Sequence, residues 1–275
     1  MYFFKLNLLK TKKNTKRKPT HKKTGSKKIN YIVIIVIIIL ILLVIYRPVK
    51  HYFFKTVFSK SIDEIRKDLP QYSVFGIDVS VYQEDINWDT VFDNQQIDFV
   101  FVRATAGIDN FDKKFKQNWD ILHQKNVVCG AYHYYRPDES SEEQAKFFIQ
   151  NVDLKTGDLP PVLDIEKINK SKNINELKDS LLKCLDIIET HYKITPLLYS
   201  YNNFYTTYIL QDKRFEKYSV WIAWYDIKGN PQTIVNDWIF WQFTDNGKIN
   251  GISGSVDVNV FNGNILDING IRIRK

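Results

Sequence analysis

Residues 160–166 read Pro-Pro-Val-Leu-Asp-Ile-Glu, an apolar run that carries two carboxylates two positions apart. In an extended chain, residues i and i+2 point to the same face. Asp164 and Glu166 therefore share one face of a strand, and Leu163 and Ile165 share the other. Burying charge is costly unless it is paired or used. Two neighbouring carboxylates also repel, so a proton on one of them becomes harder to remove. That is one route to a carboxylic acid that stays protonated near neutral pH. The plainer alternative is a strand end whose acids reach water, since structural ion pairs are common.

Outward from this strand the chain alternates between two periodicities. VFGIDVS (74–80), DFVFVRAT (98–105), VVCGAYHYY (127–135) and PLLYSY (196–201) read as strands, with PVLDIE fourth among the five. Helical patterns separate them at 86–95, at 112–126 with Phe115, Trp119 and Leu122 on one stripe, and at 174–192. Another helix runs from a cap at Ser140 or Ser141 to about Asn151, with Glu142 and Glu143 in its first turn. Then SVWIAWY (219–225), DWIFWQF (237–243) and SVDVNVF (255–261) follow with little helix between them. Eight strands is the number that closes a barrel with a filled interior, and repeated βα order argues for parallel pairing. The predicted fold is α/β, an irregular TIM-like barrel of five βα units followed by three closing strands. Asp78, Asp164 and Glu166 fall at strand C-terminal ends, where such barrels keep their reactive groups. Asp257, in the last strand, lies beside the first strand once the barrel closes.

The formal charge of +8 suggests a nucleic-acid partner, but its distribution removes that idea. Residues 1–50 hold 13 Lys and Arg and no acid, leaving 26 basic against 31 acidic residues in the remainder. Such basic tails mark membrane topology or contact with anionic lipid. Residues 31–46, YIVIIVIIILILLVIY, contain no charge and would span roughly 24 Å as a helix. A cleaved signal peptide is the rival reading. The long segment before the run and the lack of a small-residue cleavage pattern after it favour an uncleaved signal anchor. The predicted organisation is a cytoplasmic basic tail (1–30), a transmembrane signal anchor (31–46), a juxtamembrane stalk (47–72) and an exported domain (73–275). The stalk reads as an amphipathic helix near the bilayer surface. Cys129 and Cys184 are the only cysteines and could be a disulfide or two buried thiols. Neither forms a C-x-x-C pair, so no metal site is expected from them, and no cofactor is expected. Oligomeric state is left open.

The strand motifs resemble glycoside hydrolase family 25, the lysozymes or N-acetylmuramidases. The resemblance spans about residues 74–262 and rests on motifs in order: FGIDVSVYQEDINW, DFVFVRATAG, GAYHYYRPDESSEEQAKFFI, LPPVLDIE, LYSY, VWIAWY and IFWQFTDNGKINGISGSVDVNVF. It implies the same irregular barrel and a peptidoglycan substrate. It places the catalytic carboxylates on Asp78, Asp164, Glu166 and Asp257, with Glu166 as general acid and base. It also implies retention of anomeric configuration, with the substrate's 2-acetamido oxygen attacking and Asp164 orienting that group. Aromatic residues interleave with these motifs, and their faces can bury the C–H faces of sugars. Tyr134, Tyr199, Tyr225, Trp241 and Gln242 are the expected groove residues. His133 takes the strand face opposite Tyr132 and Tyr134 and reads as structural.

Two departures stand out: Tyr82 where many members have Trp, and Thr105-Ala106-Gly107 where many have T-E-G. Without that Glu, Arg103 is expected to find another carboxylate. The alternative functions are a non-catalytic glycan-binding or scaffold protein on the same fold, a metal-dependent hydrolase and a chitinase-like enzyme. All four carboxylates are present, which argues against a decayed enzyme.

Overall fold

Alternation of side chains along each strand sorts this chain into an inner and an outer layer. The computed structural model describes residues 60–93, 97–169, 173–225, 231 and 238–274, together with Ile35, Ile37, Ile38 and Leu40. The chain divides into two units, Met1–Lys50 and His51–Lys275. In the first, the four described residues are helical. The expected anchor, residues 31–46, otherwise lies outside the described residues. Among those described, no helix is long and apolar enough to cross a membrane.

The second unit begins its described part with β1 (Lys60–Ser61) and α1 (Ile62–Asp68). The barrel follows. Strand β2 (Phe75–Val79) precedes α2 (Trp88–Asp93), and β3 (Phe99–Ala106) precedes a short β4 (Asn110–Phe111) and α3 (Phe115–Gln124). Next come β5 (Val128–Tyr134) with α4 (Ser141–Asn151) and β6 (Val162–Asp164) with α5 (Ile174–Tyr192). Strand β7 (Leu197–Tyr201) leads into α6 (Asn202–Phe204) and a π-helical turn, Tyr205–Ile209. Strands β8 (Val220–Ala223), β9 (Trp238–Lys248) and β10 (Val256–Phe261) close the sheet, and α7 (Ile265–Ile271) ends the described fold.

The eight-stranded barrel has the order β2-β3-β5-β6-β7-β8-β9-β10. Pairings are parallel from β2 through β9, and β10 runs antiparallel to both β9 and β2. The reversal of β10 puts Asp257, near its start, opposite Asp78, near the end of β2. This is the α/β barrel of five βα units and three closing strands expected above.

Inside the barrel, Phe99, Phe101, Val162, Leu197, Trp221, Phe240 and Phe261 form one buried cluster. Phe101 stacks on Trp221 at 4.5 Å and meets Phe240 edge-on at 5.1 Å. Gly76 and Gly130 make room: a Cβ at either would collide with the Phe99 or Phe101 ring. Outside, Ile77, Val100, Val102, Leu163, Ile165, Leu198, Ile222 and Val258 join the helices in a second cluster.

The stalk expectation needs correction over residues 60–72. Strand β1 pairs with β9 at Gly247 and Lys248. Ile62, Ile65 and Leu69 are buried in the outer cluster, and Tyr72 packs edge-on against Trp238 and Trp241. The apolar face that could have met a bilayer instead covers the barrel. Each such side chain, once buried, contributes about 1.5–3 kcal/mol. A domain begun at residue 73 would lack them.

Candidate active site

Strand β6 brings Asp164 to the rim, and the amide of Ile165 still donates to the Tyr199 carbonyl at 3.0 Å. The extended course therefore continues one step, and Glu166 emerges on the same inward face as Asp164. Both line a cavity of about 450 Å³ at this end of the barrel, which Asp78 and Asp257 line as well.

Asp78 is buried and well supplied with donors. Its Oδ2 accepts from Gln242 Nε2 at 2.9 Å and from Asn259 Nδ2 at 2.8 Å. Gln242 Oε1 in turn accepts from the hydroxyls of Tyr199 (2.9 Å) and Tyr225 (2.8 Å). Asn259 Oδ1 accepts from Trp221 Nε1 at 2.8 Å. Every bond in this chain donates toward Asp78. Burial pushes its pKa up to about 6, although the two amides pull it down.

Asp164 is equally buried, but its Oδ1 has no hydrogen-bond partner among the described residues. Burial raises its pKa well above the usual carboxylate range, and the nearby charges of Glu166 and Asp78 push it further. Glu166 is also raised, first by burial and then by Asp78, while Lys167 and the Tyr134 hydroxyl act in the opposite sense. The opening strand thus holds two acids that resist ionising together. Burial contributes more to this than the repulsion read from the sequence.

The expected groove residues divide. Tyr134, Tyr199, Tyr225 and Gln242 line the cavity. Trp241 does not: it is buried in the outer cluster, and its Nε1 donates to the Trp224 carbonyl at 2.7 Å. The reason is strand period: Trp241 and Gln242 are adjacent on β9 and cannot face the same side. Trp221, Tyr201, Asn259 and Arg136 escaped the sequence reading. Trp221, Tyr201 and Arg136 line the cavity, and Asn259 holds Asp78 from the neighbouring strand. The inward register of Asp257 on β10 was the available signal for Asn259, two residues on.

Arg103 finds Asp112. Its Nε and Nη2 both reach Asp112 Oδ2 at 2.9 Å, and the Val81 amide donates to the same oxygen. Arg103 thus has its carboxylate partner without a Glu at position 106. Arg103 also lies 4.9 Å from the Tyr82 ring centroid. His133 is fully buried on the outer side, between Thr105 Oγ1 (2.7 Å) and Gln144 Oε1 (3.2 Å). Burial drops its pKa to about 4, so it stays neutral. Cys129 and Cys184 are both free and buried.

Residues 77–252 match Glycosyl hydrolases family 25. The chain belongs to this family. It is 36% identical over 227 residues to the uncharacterized protein YegX of Escherichia coli K12, covering 81% of this chain and 78% of that one. It is 30% identical to lysozyme M1 of Streptomyces globisporus, over 69% of this chain and 68% of that one. A family 25 glycosyl hydrolase from Bacillus anthracis superposes with a TM-score of 0.67 at 31% identity, covering 74% of this chain and 95% of that one. The family 25 protein described here is thus a glycoside hydrolase of the lysozyme type.

Proposed function

We propose that the protein is a membrane-tethered lysozyme that cleaves the β-1,4 bond between N-acetylmuramic acid and N-acetylglucosamine in peptidoglycan. Glu166 protonates the glycosidic oxygen as the bond to the anomeric carbon breaks. The carbonyl oxygen of the sugar's own 2-acetamido group attacks that carbon from the opposite face, giving a cyclic oxazolinium intermediate. Asp164 accepts the acetamido N–H and holds the group in line. Glu166, now a carboxylate, takes a proton from water, and that water opens the intermediate with net retention. Asp78 and Asp257 complete the negative rim that stabilises the developing positive charge.

The observation that carries this reading is the buried Oδ1 of Asp164, without a partner among the described residues, on the cavity wall beside a carboxyl group whose pKa is raised. An acceptor in that state fits an amide N–H. The test incubates the full chain with purified peptidoglycan and reads the released muropeptides by mass spectrometry. Reducing ends on N-acetylmuramic acid are expected, and Glu166→Gln should lose about 10²–10⁴-fold in rate. Reducing ends on N-acetylglucosamine would change the bond, and glycan binding without release would favour the scaffold alternative. NMR of the first-formed anomer tests the acetamido route, which inversion would exclude.

Tethering through residues 31–46, with a cytoplasmic N-terminus and the catalytic domain outside the membrane, is supported by the uninterrupted apolar run and the basic residues before it. Carbonate-resistant membrane association, together with protease sensitivity of the barrel from the outer side only, is the expected result.

A further inference from the structure

At the far end of the barrel from the carboxylates, three side chains from separate elements converge. His123 comes from the last turn of α3, Cys129 from the start of β5, and Asp158 from the loop before β6. One ligand-type atom from each lies within 4.8 Å of the other two. His123 Nε2 lies 2.8 Å from Asp158 Oδ1 and 3.9 Å from Cys129 Sγ.

The remaining polar atoms of the group are already committed. His123 Nδ1 lies 3.0 Å from the Trp119 carbonyl, which can only accept, so Nδ1 carries a proton and donates. With Nδ1 donating, Nε2 faces the other two groups, and its 2.8 Å contact with Asp158 Oδ1 needs one proton shared between ring and carboxyl, the place a metal ion would take. Asp158 Oδ2 accepts from the Lys155 amide at 2.7 Å, leaving Oδ1 inward. The Cys129 carbonyl accepts from Leu159 N at 2.8 Å, and the Asp158 carbonyl from Ile273 N at 2.8 Å, so both backbones are fixed. A hydrogen bond between His123 and Asp158 accounts for two of these atoms but not for a thiol against the same nitrogen.

We propose that His123, Cys129 and Asp158 form a binding site for a divalent cation of the zinc class. A set of one imidazole, one thiolate and one carboxylate suits zinc over calcium or magnesium, which take oxygen. In a tetrahedral zinc site, neighbouring ligand atoms stand about 3.3–3.6 Å apart, given metal–ligand distances of about 2.0–2.3 Å. The Cys129–His123 separation needs to close slightly, and the His123–Asp158 contact to open by about half an ångström on the same scale. Burial holds the Cys129 proton on, and nearby Asp158 adds to this while Arg272 opposes it. A bound dication displaces that proton to solvent. His123 is partly exposed, which gives the ion an entry path and leaves its fourth position to water. The ion would join α3, β5 and the β6 approach on the side opposite the chemistry, as a staple for the barrel.

The experiment titrates the full chain, in detergent and under reducing conditions, with cobalt(II) as an optical stand-in for zinc. A thiolate-to-cobalt charge-transfer band saturating at one ion per chain is expected. Cys184→Ser should keep the band and Cys129→Ser should lose it. His123→Gln, on the partly exposed face of α3, should weaken cobalt binding at least about tenfold while leaving far-ultraviolet circular dichroism unchanged. Zinc should raise the melting temperature of the wild type and of Cys184→Ser, but not of His123→Gln. Absence of the band in the wild type, or a band that survives both Cys129→Ser and His123→Gln, would overturn the proposal.

Discussion

The carboxylate ring has two sides that share burial and differ in everything else. On the β10–β2 side, Asp78 receives two amide donors, each oriented by a further residue. On the β6 side, Asp164 is just as buried, yet one of its oxygens has no donor among the described residues. Burial raises both pKa values, but two amides temper the rise at Asp78, while at Asp164 the charge of Arg103 opposes it and those of Glu166 and Asp78 add to it. Two acids of one type at one depth thus become a held anion and an acceptor left for substrate. The donors make that difference, and it can be broken one donor or one acid at a time.

The largest effect is expected from Asp164→Asn. An amide at this position no longer accepts from the substrate's acetamido group with full charge, and kcat should fall about 10²–10³-fold. Stability should move the other way. A buried acid with a raised pKa contributes stability that is fully present below its unfolded pKa and is lost as pH rises through the folded value. That loss begins above the unfolded carboxyl's pKa, so by pH 7 the wild type has given up stability that the neutral amide keeps. Thermal melts should therefore show Asp164→Asn above wild type at pH 7 and level with it near pH 4.

Asp78→Asn should follow the same sign with a smaller gain. Its folded pKa of about 6 against an ordinary value of 3.8 bounds the effect at about 3 kcal/mol, lost by the wild type between roughly pH 4 and 6. For a chain of this size that corresponds to several degrees in Tm. The amide oxygen can still accept from Gln242 and Asn259, so the fold should tolerate it. A Tm gain at pH 7 larger than that of Asp164→Asn would reverse the ranking of the two sides.

Asn259→Ala removes one donor from Asp78 and strands the Trp221 indole N–H. Loss of the amide lets the Asp78 pKa rise further, so the acidic side of the kcat profile should shift upward and kcat should fall about tenfold. Trp221→Phe, which keeps most of the ring packing on Phe101, should give a weaker version of the same shift. A drop in kcat with an unmoved pH profile would mean that the relay only supports packing.

Much of this was legible in the sequence because strands alternate. The inward positions of β2, β6 and β10 carry the carboxylates, and PPVLDIE alone gave the faces of Leu163, Asp164, Ile165 and Glu166. The helix at 174–192 was read to its ends because its apolar stripe and its Asn173 cap agree with its packing. Trp241 was misplaced because composition outvoted parity: an aromatic beside Gln242 looked like a sugar platform, but only one of the two neighbours can face in. The stalk was misread because amphipathicity says that a face is covered and not what covers it. The His123, Cys129 and Asp158 cluster was invisible because its members come from three elements and meet only when the barrel closes.

The smallest expected effect belongs to Lys167. Its ammonium lies 5.7 Å from the Tyr134 ring centroid and favours the charged form of Glu166, opposing the upward push of burial and Asp78. Replacing it with Met removes that opposition, so the Glu166 pKa moves up. A general acid must be protonated to act, and the alkaline limb of kcat/KM reports its pKa in the free enzyme. Lys167→Met should therefore extend activity to higher pH, and Lys167→Arg should leave the limb in place. Because Lys167 is exposed, salt screens its influence, and raising ionic strength should shift the wild-type limb toward that of the Met variant. If the limb ignores both the substitution and the salt, the proton lost there belongs to Asp164, and the β6 side would hold the working acid two residues earlier than Glu166.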